Sequence, residues 1–142
     1  MPTSTSSAVW EGGLRNGKGR YSAGSGAFAG EYTFLTRFEG AAGTNPEELI
    51  AAAHAACLSM ALSGALERAG TSPLRISTSA ACTVEKQEAG FRITKMHLEV
   101  RATVPGVDAS TFAAAAEAAK EGCPVSNALK GNVAFTLDAQ LE

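Results

Sequence analysis

Eighteen consecutive residues, Leu49–Leu66 (LIAAAHAACLSMALSGAL), contain no Asp, Glu, Lys or Arg. A stretch of that length approaches what is needed to cross a bilayer. A chain carrying it must therefore either insert it or bury it in protein. The content favours burial: alanine dominates, His54, two serines and Gly64 interrupt the run, and the acidic pair Glu47–Glu48 flanks it. A helix that is apolar nearly all round is expected at the buried centre of a larger assembly. Its Ala, Ser and Gly side chains would let neighbouring backbones approach closely. Asn45 is a good N-cap, Pro46 suits the first helical position, and Glu47 and Glu48 favour the positive end of the helix dipole. Gly70 can adopt the left-handed conformation that ends a helix. The predicted helix covers about Pro46–Ala69 and is about 36 Å long at the standard rise per residue.

The remaining composition sets the class. Of 142 residues, 45% are hydrophobic and 18% charged, and 12 basic against 14 acidic residues give a net charge of −2. These are the proportions of a globular chain rather than a disordered one. Its length suits one domain whose limited core an oligomer interface would supplement. The slight acidity, with only six Phe, two Tyr and one Trp, argues against a nucleic-acid binder. The segment MPTSTSSAVWEGG has neither the basic nor the apolar region of a signal peptide, so a cytoplasmic protein is expected. Three cysteines, Cys57, Cys82 and Cys123, are too few and too widely spaced for a disulfide framework, and none belongs to a CxxC motif. In a reducing cytosol, a thiol that matters is reactive rather than structural.

Three segments are read in the single domain. Residues 1–43 hold most of the glycines and read as short strands at about 8–14, 18–22 and 31–38, with Asn16-Gly17 as a two-residue hairpin signal. Residues 44–70 hold the central helix. Residues 71–142 begin with strands at 74–85 and 91–104. In the second of these, Met96, Leu98, Val100, Ala102 and Val104 alternate with Lys95, His97, Glu99 and Arg101. Asp108 or Ser110 then caps an alanine-rich helix, Cys123-Pro124 opens another helical turn, and 133–141 form a last strand. This succession is an α+β pattern.

Candidate chemistry centres on sulfur. Cys57 lies mid-helix, too far from the N-terminus for the dipole to ionise it. It is either a small packed side chain or a thiolate that borrows a cation from elsewhere in the fold. Cys123 precedes Pro124 and reads as an N-cap, where unpaired N–H groups can favour a thiolate, although a structural thiol fits there too. Cys82 alternates with apolar neighbours and reads as core. His54, three residues before Cys57, falls on the same helical face. It could be a base for the thiol, half of a metal site, or an imidazole lining a cavity; no third metal ligand is evident. His97 faces the wet side of its strand.

The segments AVWEG (8–12), TRFEG (36–40), GTNPEELIAAAHAACLSMAL (43–62), VPGVDASTF (104–112) and GCPVSNALK (122–130) together closely resemble the osmotically inducible protein C (OsmC) family, relatives of the organic hydroperoxide resistance proteins. The resemblance spans nearly the whole chain, with two cysteines in separate motifs at matching spacing. It implies an OsmC-like fold of antiparallel sheets packed around a long buried helix, in an intertwined homodimer with active sites at the interface. It also implies a thiol-dependent peroxidase of organic hydroperoxides serving oxidative and osmotic stress defence. In that role Cys57 is the peroxidatic and Cys123 the resolving cysteine. Arg37 activates the thiol, and Glu47, or its neighbour Glu48, orients the arginine. The two thiols form an intramolecular disulfide that an external dithiol such as a lipoyl group reduces, with no metal, flavin or other cofactor.

These roles agree with elementary chemistry. The attacking sulfur must be ionised and charge builds on the departing oxygen; a permanently protonated, planar guanidinium serves both needs. Ten helical residues separate Glu47 from Cys57, a rise of about 15 Å with a turn of about 280°. Glu47 therefore cannot touch its own Cys57, and either Arg37 bridges the gap or the Arg–Glu pair comes from the partner subunit. Phe34, Phe38, Leu58 and Met60 are candidate lining residues for an apolar substrate pocket. Two other functions compete: a non-catalytic dimer that binds a small apolar ligand, and a cysteine acyl-transfer enzyme using His54 as base. The second lacks an acid to orient the imidazole.

Overall fold

A computed structural model describes residues 1–142, which divide by their contacts into two compact units, Met1–Glu48 and Leu49–Glu142. The first unit holds an antiparallel sheet in the order β1-β2-β3, with β1 at Ser6–Glu11, β2 at Lys18–Ala23 and β3 at Ala29–Tyr32. Glu11 pairs with Lys18 across the first hairpin, so its loop has six residues rather than two. No residue other than glycine has a positive φ, and Asn16 therefore does not form the tight turn that Asn-Gly favours. The chain turns instead through Gly12, at φ +92°, and a bond from the Gly17 amide to the Gly13 carbonyl.

The strand expected at 31–38 ends early. Tyr32 closes β3, and Phe34–Phe38 form a short helix, α1. The cause is local. Thr33 is the N-cap, its hydroxyl accepting from the Thr36 amide, while the Thr36 hydroxyl accepts from the Thr33 amide. This reciprocal capping box outweighs the extended preference of the segment.

Helix α2 runs Pro46–Arg68. Asn45 caps it as expected, its side-chain oxygen accepting from the Glu48 amide at 2.8 Å. Gly70, at φ +87°, follows its end. By length and hydropathy this helix could cross a membrane, a property that core helices of soluble proteins share. Within the single chain one face of this helix is buried. Ala51, His54, Leu58, Leu62 and Leu66 form one buried stripe at helical spacing, whereas Ala52, Ala53, Ala56 and Met60 are exposed.

The second unit packs that stripe into its core. Strands β4 (Arg75–Gln87) and β5 (Gly90–Thr103) pair antiparallel. Strand β6 (Ala134–Leu141) joins β5 in parallel, so this sheet is mixed and not purely antiparallel. A parallel neighbour needs a crossover connection, which here consists of helix α3 (Ala109–Gly122) and helix α4 (Pro124–Leu129). Met96, Leu98, Val100 and Ala102 of β5 are fully buried, and Phe112, Ala116 and Ala119 face them from α3. The α3 stripe continues to Cys123, which is 1% exposed, so the same packing that seats α3 carries this sulfur into the core.

Leu62 lies in the centre of this core with no exposure. Leu62→Ala is expected to cost about 2–5 kcal/mol of unfolding free energy, measured by urea denaturation. A loss below about 1 kcal/mol would mean that the α2 stripe does not organise the core.

Candidate active site

Each unit contributes one cluster of chemical groups. In the first unit, α1 places Arg37 in its last turn. Asn45 ties this turn to the start of α2, its side-chain amide donating to the Thr36 carbonyl at 3.2 Å. Glu47, in the first turn of α2, is only 4% exposed and meets the guanidinium edge. Arg37 Nη2 donates to Oε1 at 2.7 Å, and Nε donates to Oε1 and Oε2 at 3.1 and 3.2 Å. A forked, charge-assisted contact of this kind fixes direction as well as proximity. It also distinguishes the two glutamates: Glu47 carries the pair, whereas Glu48 is exposed and uses its amide for the cap.

Arg37 Nη1 takes no part in that pair. The Arg37 guanidinium lies 5.0 Å from the centre of the Phe38 ring. Arg37, Phe34 and Phe38 line a cavity of about 250 Å³ together with Trp10, Leu14, Tyr32 and Thr33. The sequence singled out the two phenylalanines but not Trp10, Leu14 or Tyr32, which come from neighbouring strands and a loop. The other two candidate lining residues lie in the second unit. Leu58 is fully buried in the core, and Met60 is 80% exposed beside a shallow groove formed with α3.

In the second unit the two motif cysteines meet. Both are free thiols, Cys57 half-buried and Cys123 buried, and they lie close enough for Cys123 to raise the Cys57 pKa. The start of α4 holds the pair: the Val125 amide donates to Cys57 and the Ser126 amide donates to Cys123 at 3.4 Å. Burial pushes the Cys57 thiol above its ordinary pKa. The Val125 amide pulls it down, and the adjoining Cys123 raises it again. None of these influences is a cation. The surroundings of Cys57 in its own unit thus favour the thiol over the thiolate.

His54 does not act on Cys57 as the sequence allowed. Its Nε2 lies 2.7 Å from the Ser126 hydroxyl, and its Nδ1 is buried without a hydrogen-bond partner. The edge of the imidazole packs on Phe135, with ring centres 5.2 Å apart. Burial lowers its pKa, so it is neutral at neutral pH. The Ser126 hydroxyl is also 3.0 Å from Cys123 Sγ. Sequence reading missed Ser126; the only signal was its place three residues after the cap, where a side chain faces back towards the capping residue. His54 belongs to no group of three His, Cys, Asp or Glu side chains suited to a metal. Cys82 lies half-buried against the core on β4. His97 is exposed beside Thr136.

Comparison with known proteins bears on the family of the chain. The family model described as OsmC-like protein matches residues 39–138. The chain is 54% identical over 136 residues to peroxiredoxin OsmC of Escherichia coli, covering 95% of this chain and 94% of that one. It is 35% identical over 99 residues to the organic hydroperoxide resistance protein of Xanthomonas axonopodis, covering 69% and 68%. Among solved structures, the organic hydroperoxide resistance protein of Elizabethkingia anophelis superposes with a TM-score of 0.75 at 27% identity, covering 100% of this chain and 98% of that one. The protein OhrB of Bacillus subtilis gives 0.72 at 25% identity, covering 96% and 98%. The α+β architecture, the motifs and this range of matches lead to one conclusion: the chain belongs to the OsmC family.

Proposed function

We propose that this chain is a cysteine-based peroxidase that reduces organic hydroperoxides to alcohols. The observation that carries the reading is the pair of neighbouring free thiols, Cys57 and Cys123, by the start of α4. The names of its relatives, a peroxiredoxin and an organic hydroperoxide resistance protein, support it. In the first step the Cys57 thiolate attacks the terminal peroxide oxygen. An S–O bond forms, the O–O bond breaks, and the alkoxide takes up a proton to leave as alcohol. The Cys57 sulfenic acid then condenses with the Cys123 thiol, giving a disulfide and water. A dithiol, a lipoyl group among the candidates, returns both cysteines to thiols by exchange.

Oxidation with one equivalent of an organic hydroperoxide should give a Cys57–Cys123 disulfide in the wild type. In Cys123→Ser it should give a sulfenic adduct at Cys57, both read by mass analysis. The reaction should run faster with a bulky organic hydroperoxide than with hydrogen peroxide, because the cavity beside Arg37 is lined by Trp10, Leu14, Phe34 and Phe38. Reaction of Cys57→Ser at the wild-type rate would refute the reading.

Arg37 is the activating cation, and Glu47 aims it. The cation must act against burial and against the neighbouring thiol, both of which raise the Cys57 pKa. The sign is therefore fixed: removing the guanidinium moves the midpoint upwards. Alkylation of Cys57 followed against pH should show a midpoint below that of an ordinary cysteine in the wild type and above it in Arg37→Ala. The same variant should lose about 10²–10³ in peroxidase rate, as when one donor to a developing oxyanion is removed. An unshifted alkylation profile would exclude Arg37 from this role.

The chain works as one OsmC-like domain in a cytoplasmic homodimer, with Arg37 and Glu47 of one subunit serving Cys57 of its partner. Two points support this: the helical rise between Glu47 and Cys57, and the exposed apolar face Ala52, Ala53, Ala56 and Met60 on α2. Ala53→Arg should yield a monomer by analytical ultracentrifugation, without peroxidase activity. A verified monomer that retains activity would overturn the shared site.

A further inference from the structure

We propose that Ser126 and His54 form a proton path that serves the second thiol, with Ser126 taking the proton from Cys123 as the disulfide closes and His54 positioned behind it to receive the Ser126 proton. The inference rests on the peroxidase reading and concerns only its second step. Three buried groups stand in line: Cys123 Sγ, the Ser126 hydroxyl 3.0 Å away, and His54 Nε2 a further 2.7 Å on. Cys123 and Ser126 are each 1% exposed and His54 is fully buried, so bulk water does not reach the second sulfur.

The chemistry of closure requires an acceptor at this place. Cys123 sulfur must attack Cys57 sulfur roughly in line with the S–O bond that breaks. The departing hydroxyl is then on the far side of Cys57 and cannot take the Cys123 proton directly. The Ser126 amide, the other neighbour of Sγ, is a donor. The Ser126 hydroxyl is placed to accept the thiol proton while passing its own to Nε2. The S–S bond forms as the S–O bond breaks, and the hydroxide leaves half-buried Cys57 as water after taking a proton from solvent. The Cys123 proton stays on buried His54 until reduction of the disulfide regenerates the Cys123 thiolate, which takes it back through Ser126, so over closure and reduction no proton is gained or lost at His54. Burial holds the imidazole neutral, and in the tautomer with its proton on Nδ1 the Nε2 atom facing Ser126 is an acceptor. The unpartnered Nδ1 shows that the ring is not held for a second hydrogen bond there.

Rapid mixing of reduced protein with one equivalent of organic hydroperoxide, quenched with a sulfenic-acid trap and read by mass analysis, separates sulfenic acid formation from disulfide closure. In Ser126→Ala and His54→Gln, closure should slow about tenfold or more relative to sulfenic acid formation. Under excess hydroperoxide both should accumulate Cys57 sulfinic acid at lower doses than the wild type. Ser126→Thr keeps the hydroxyl and should restore closure. Gln can keep a hydrogen bond to Ser126 but cannot take its proton, so slowed closure in His54→Gln distinguishes proton transfer from packing. Closure at the wild-type rate in either Ser126→Ala or His54→Gln would overturn the proposal while leaving the peroxidase reading intact. Failure to form a Cys57 sulfenic acid even in Cys123→Ser would overturn both.

Discussion

The closeness of the two thiols by the start of α4 is the constraint on which the proposed chemistry depends. It brings together two sulfurs separated by 66 positions (123 − 57) in the chain. It does so because the buried stripe of α3 runs on into Cys123 and because successive amides of α4 point at the two sulfurs. The same closeness opposes ionisation, since a second sulfur beside Cys57 and partial burial both disfavour charge there. An arrangement built only from these parts is ready to form a disulfide but poorly prepared to attack a peroxide. A redox function therefore demands a cation from outside the thiol pair. The buried Glu47 holding Arg37 by its Nε edge is the kind of preset cation that the demand describes.

Helix α2 connects this requirement to association. Its leucines and His54 fill one stripe, whereas the opposite side shows three alanines and Met60. Small side chains contribute little to a core within one chain, but they permit two backbones to approach closely. A sequence selected only for a solvent-facing helix surface would place Lys, Glu or Arg there. None occurs between Leu49 and Leu66. Under the proposed dimer, the uncharged outer face and the need for an external cation share one explanation.

Much of the fold was legible because it rests on local signals. Asn45-Pro46 and Gly70 bracketed α2, and strict alternation in β5 gave its buried face. What could not be read depends on competition or on distance. The capping box of Thr33 and Thr36 shortened a strand that looked continuous, and it set Arg37 on a helix. The parallel pairing of β6 follows from the helical crossover rather than from any residue in the strand. Motif resemblance supplied Cys57, Cys123, Arg37 and Glu47, but composition alone left the roles of both cysteines open. Only the geometry separates Glu47 from Glu48, and only the geometry turns His54 away from Cys57 towards Ser126, 72 residues away. A lone serine within CPVSN carries no periodicity or spacing that would reveal such a partner.

Under the proposed mechanism the two thiols need opposite treatment of their protons. Cys57 must lose its proton before the peroxide arrives, and a fixed positive charge is suited to that because it favours the anion permanently. A second permanent anion beside it would repel the first and undo the benefit. Cys123 should therefore keep its proton until Cys57 has become a neutral sulfenic acid, and only then release it. A cation next to Cys123 would defeat that order. A buried, uncharged imidazole reached through one hydroxyl does not: it leaves the resting thiol protonated and accepts the proton only as the S–S bond develops. On this view the burial of His54 serves the sequence of steps, since an exposed and partly charged histidine would place the wrong charge near the second sulfur at the wrong time.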